Sequence, residues 1–192
     1  MIKKIILMTI VLISTINAGE IFRNYSYDQD KASIRNLEKI EKPILFKNQE
    51  SMTAYQDNED FTLIFQKTER GERLRFVQVL MIKFDLKEEI ERTLKSGFRL
   101  KKIVLTNKYG KQNVQNVGDL IRKINIEKDK ATIFNTVINA NLLFQQEKAI
   151  MIMDYNTAIN RTGSGCKTCD ELKGTNLEEK AFLTLLFTEK TK

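Results

Sequence analysis

Two residues of this 192-residue chain are equipped by type and spacing to do chemistry, Cys166 and Cys169, its only cysteines. They stand three apart in R-T-G-S-G-C-K-T-C-D, the run from Arg161 to Asp170. In an oxidising compartment such thiols form a disulfide with each other unless something keeps them reduced. Closing a loop of four residues restrains the unfolded chain by only about 1.8 kcal/mol, against about 4.7 kcal/mol for a loop of a hundred. A bridge there is therefore either a local shape-setter or a redox pair. For redox exchange the physical route is a short turn after Cys166: its free amides and Lys167 would favour the thiolate. Cys166 would then attack and Cys169 resolve. Metal binding needs two further ligands beside the two thiolates.

The chain has no His, which removes whole classes of mechanism. Ser-His-Asp and Cys-His nucleophile pairs, His-ligated zinc and haem attachment through C-x-x-C-H are all excluded. Gly163-Ser164-Gly165 lacks the spacing of a nucleophile elbow and of a phosphate loop, so it reads as the approach to the cysteines. No cofactor is implied, and catalytic residues are expected only if Cys166 and Cys169 are redox-active.

The second feature is charge. The formal net charge is +7, and the excess lies in residues 67–111, which carry 13 basic and 6 acidic groups. Lys67, Arg70, Arg73 and Arg75 cluster in one part of that segment; Arg99, Lys101 and Lys102 in another. Together they are a candidate surface for an anionic partner, such as acidic lipid headgroups or an acidic protein patch. The competing reading is a solvated face whose Lys and Arg keep a sheet edge from pairing with strangers. As exposed charges, Arg73 and Arg75 should be replaceable at little cost in stability. Aromatic residues are barely interleaved with them, Phe76, Phe98 and Tyr109 excepted, so nucleic acid is not the expected partner.

Where the chain works is suggested by its start. Lys3 and Lys4, the uncharged apolar run Ile5 to Ile16 and the small residues around Ala18 have the layout of a secretory signal peptide over residues 1–18. The apolar run is twelve residues long, short of the roughly twenty that span a bilayer, so an uncleaved anchor is the weaker alternative. The expected product is one periplasmic domain, residues 19–192, with no transmembrane span. At 42% apolar and 30% charged residues with one Pro, it is expected to fold throughout.

Elements that would position these residues follow from periodicity. Phe61, Leu63 and Phe65, then Leu74, Phe76, Leu80, Ile82 and Phe84, alternate with polar residues about a turn at Gly71, which predicts a β-hairpin over about 60–84. One long helix over 69–96 is the rival. Asp85 and Glu88 form a capping box and Gly97 a C-terminal stop for a helix beginning at 86. Residues 98–106 read as a third strand and 149–153 as a short one. Helices are expected over 30–42, 112–124 and 128–146, and after the second capping box at Thr175 and Glu178. Lys47 to Asp60 reads as loop. The expected class is α+β: a single helix-rich domain with a small antiparallel sheet built on the hairpin. The expected role is binding, with another envelope protein the partner, in an accessory position of an envelope or secretion assembly; thiol-disulfide exchange and binding of a polyanion or membrane surface are the alternatives.

Overall fold

The structure, a computed structural model, describes residues 20–22, 25–40, 52–57, 61–130, 136–162 and 176–190. The N-terminal strands β1 (Glu20–Phe22) and β2 (Tyr25–Ser26) pair with each other. Nine strands then form one antiparallel sheet: β3 (Leu37–Ile40), β4 (Met52–Asp57), β5 (Phe61–Thr68), β6 (Gly71–Met81), β7 (Arg99–Asn107), β8 (Gly110–Asn113), β9 (Thr136–Gln145), β10 (Ala149–Thr162) and β11 (Asn176–Glu189). Two helices, α1 (Leu86–Lys95) and α2 (Val117–Lys130), complete the described residues. The spatial order is β3-β4-β5-β6-β11-β10-β9-β7-β8. The last strand in sequence lies in the middle of the sheet.

The helix-rich expectation is thus overturned, and the reason can be read residue by residue. In 136–145 the side chains of Thr136, Ile138, Ala140, Leu142 and Phe144 are buried, whereas Val137 and Asn141 are exposed. That is a period of two, and it wins over the i, i+4 spacing of Phe134 and Ile138 because β10 pairs with the segment over ten residues. Likewise the segment expected as the last helix is β11, paired with β10 over fourteen residues, with Leu183, Leu185 and Phe187 inward. The segment expected as a helix over 30–42 is a single 3-10 turn, Lys31–Ser33, followed by β3; Asn36 sits at φ 59° between them, where a right-handed helix cannot continue. Residues 52–57, expected as loop, form β4. Residues 110–113 form β8, so the helix expected from 112 begins at 117, where Asn116 Oδ1 accepts the Asp119 N–H at 2.9 Å.

Local signals did place other elements. The β5–β6 hairpin turns at Gly71, whose φ of 96° costs a residue without Cβ little. Asp85 caps α1 by accepting the Glu88 N–H at 2.9 Å. At the other end of α1, Gly97 has φ 92°, and a Cβ there would stand 3.3 Å from Gln146 Nε2. The rival single helix over 69–96 does not form: β6 and α1 divide it.

One face of the sheet carries the core. Leu63, Phe65, Val77, Leu105, Leu142, Met153, Leu183 and Leu185 are buried there with Leu86 and Ile90 of α1 and Leu120 and Ile124 of α2. Phe22 closes one side of this core against Phe61 and Phe187, with ring centroids 5.2 and 4.5 Å apart. Residues 28–30 continue the sheet locally where β11 does not reach. The Asp28 N–H donates to Leu74 O, and the Leu74 N–H donates to Gln29 O, both at 2.9 Å. A bulge makes Arg75 the extra residue opposite Ile64 and Phe65.

Candidate functional site

Cys166 and Cys169 fall in the 163–175 connection between β10 and β11, outside the described residues. The residues that bracket the connection, Thr162 and Asn176, are a cross-strand pair.

The seven basic residues do not come together as one surface. Lys67 and Arg70 are exposed at the β5–β6 turn, and Arg99, Lys101 and Lys102 are exposed at the start of β7. Strands β11, β10 and β9 lie between β6 and β7, a separation of about 19 Å at about 4.8 Å per strand. Lys101 is the extra residue of a second bulge, so Lys102 and Arg99 both project from the face opposite the core, in register with Leu143 and Gln145. Arg73 and Arg75 have a different occupation. Arg75 Nη1 lies 2.7 Å from Asp28 Oδ1, its Nε donates to Gln66 Oε1 at 2.9 Å, and its guanidinium stacks over the Tyr27 ring at 4.7 Å. Arg73 Nη2 lies 3.5 Å from Asp30 Oδ2 and donates to Arg70 O at 3.0 Å. With Lys31 and Glu72, 3.0 Å apart, these pairs fasten the N-terminal segment to β6. Burial opposes ionisation of Glu72, but bonds from Lys31, Thr53 and Tyr55 outweigh it and hold the carboxyl below its usual range.

A groove of about 600 Å³ runs between the N-terminal end of α1, α2 and the β10–β11 hairpin. Its apolar lining comes from Phe84, Ile121, Ile124, Tyr155 and Ala181, with Ile82 at the mouth, 75% exposed. Three lysines border it, Lys83, Lys87 and Lys128. Lys128 Nζ meets Glu179 Oε1 at 2.5 Å; burial works against its charge, but Glu179 and Tyr155 raise its pKa above the usual lysine value. Lys87 reaches Glu91 only at 4.0 Å, and Lys83 has no ion pair among the described residues. Asp85, also in the lining, is occupied as the α1 cap. The groove can therefore seat apolar side chains and leave two cations for an acidic group beside them.

The face opposite the core carries a second polar arrangement. Asn139 and Asn141 of β9 stand directly across from Asn156 and Asp154 of β10. Asn139 Nδ2 donates to Asn156 Oδ1, and Asp154 accepts from Asn156 and Asn141. Burial raises the Asp154 carboxyl above its usual range despite those two donors. The alternation Asn139-Ala140-Asn141 and Asp154-Tyr155-Asn156 was available as a signal. A helix over 128–146 would put Asn139 and Asn141 on different sides, which hides it.

Among the described residues no group of three acidic, His or Cys side chains is placed to hold a metal ion, and no helix is long and apolar enough to cross a membrane. Compared with protein-family profiles, curated proteins and solved structures, the chain matches none.

Proposed function

We propose that the chain is an exported protein that acts by binding, and that the groove between α1, α2 and the β10–β11 hairpin receives a segment of an envelope partner carrying apolar and acidic side chains. The observation that carries this reading is the combination in one groove of an apolar lining with Lys83 and Lys87 at its edge and Ile82 left 75% exposed. Continuous with the apolar lining, Ile82 extends the groove into a contiguous apolar surface of the kind that marks interaction sites. Acidic side chains on the partner would steer the encounter and set the register, while apolar contacts would supply most of the affinity.

Cross-linking in an envelope extract tests this. The parent chain should capture a discrete protein. The double variant Ile82→Asp, Lys83→Glu should lose that capture while melting at the same temperature, because both side chains are exposed. Equal capture by parent and variant would remove the groove from the interface.

A further inference from the structure

We propose that the face of the sheet opposite the core holds a binding site for a neutral saccharide, centred on Asn139, Asn141, Asp154 and Asn156 and walled by the ring of Phe182. The site is distinct from the groove, which lies on the helix side. Asn139, Asn156 and Phe182 form one row across β9, β10 and β11, and Asn141 and Asp154 form the next. Paired residues across strands are about 5 Å apart and successive rows about 7 Å, so the four polar groups occupy roughly the footprint of one sugar ring.

The chemistry suits vicinal hydroxyls. Each hydroxyl is both donor and acceptor, and planar amides and carboxylates meet such groups in pairs. Donation runs from Asn139 to Asn156 to Asp154, with Asn141 donating to Asp154 from the other side. These bonds set the orientation of the amides before a ligand arrives, and preorganisation lowers the cost of binding. Each amide has a second N–H beyond the one used here. Phe182, 44% exposed, offers its ring beside Asn156 to the C–H face of a sugar. Val137 and Leu80, 60% and 57% exposed, extend the apolar surround.

The charge pattern selects a neutral ligand. Asp154 is the one charged group of the cluster, and two amides already engage it. Cations in register flank the cluster one row away on either side, Lys102 of β7 opposite Leu143 and Lys180 of β11 opposite Ala158. An anion placed on the cluster would meet the Asp154 carboxylate directly, with Lys102 and Lys180 each a row, about 7 Å, away.

Calorimetry of the purified chain with chitotetraose and with maltotetraose tests the proposal. One of the two should give saturable heat that is unchanged by added salt and by Lys102→Ala. Asn141→Ala, at an exposed position, and Phe182→Ala should each weaken it about tenfold, with circular dichroism confirming the fold. If Phe182→Ala does not fold, Asn141→Ala decides alone. No heat from either sugar, undiminished binding by Asn141→Ala, or binding that falls with salt or with Lys102→Ala would overturn it.

Discussion

Arg75 reaches across 47 residues of sequence to place its Nη1 2.7 Å from the carboxylate of Asp28. The contact joins the N-terminal segment to the bulge of β6, at the point where β11 no longer covers that edge. It also corrects the expectation that Arg75 and Arg73 are free cations: each is turned onto the residues that precede the sheet. Charge reversal of the pair Arg73→Glu, Arg75→Glu should lower stability, since it sets like charges against Asp28 and Asp30 and removes the bond to Gln66. The same reversal at Lys101 and Lys102 should change it by less than about 0.5 kcal/mol. Urea titrations of the two double variants measure the difference. A double-mutant cycle on Asp28 and Arg75 should return a coupling of no more than about 1 kcal/mol, because Asp28 is exposed.

Asp154 should make stability pH-dependent in a particular direction. Its pKa is raised by burial above the usual value of 3.8, so over the window from 3.8 up to the raised value the folded chain holds a proton that the unfolded chain has released. Stability therefore falls as pH rises through that window. Asp154→Asn removes this dependence and should be at least as stable as the parent at pH 7, with no advantage below pH 3.8. Urea titrations across the pH range read the sign directly, and an Asp154→Asn protein less stable than the parent at pH 7 would contradict it.

The strand assignment of 136–145 is open to a mutational check. Leu142→Ala, at a fully buried position, should cost about 2–5 kcal/mol. Val137→Thr, on the opposite face and 60% exposed, should cost less than about 0.5 kcal/mol. A helix with Val137 and Ile138 on its buried side would make Val137→Thr costly as well.

For the cysteines, the double variant Cys166→Ser, Cys169→Ser should fold and lose no more than about 1.8 kcal/mol, the closure entropy of so short a loop. Alkylation kinetics near pH 7 distinguish the uses: a redox pair would show Cys166 reacting faster than Cys169. Equal, slow rates are expected of a local bridge.

The sequence by itself determined the elements whose signals are short-ranged. The β5–β6 hairpin follows from alternation interrupted at Gly71, and α1 from the cap at Asp85 and the stop at Gly97, because turns and caps are satisfied by neighbours within a few residues. The absence of His and the spacing of Cys166 and Cys169 likewise constrain chemistry without any fold. What only the tertiary structure decided is the identity of β9 and β11. Short apolar runs such as Val137-Ile138 and Leu183 to Phe187 satisfy helical and extended periods about equally, and their hydrogen-bond partners are remote: Leu185 pairs with Val79, over a hundred residues away. The candidate sites depend on the same long-range pairing. Asn141 meets Asp154, and Phe182 comes beside Asn156, only because β9, β10 and β11 lie side by side in this register. Arg75 is a paired group and Lys102 an exposed one for a reason no local pattern holds, namely which strand ends next to each.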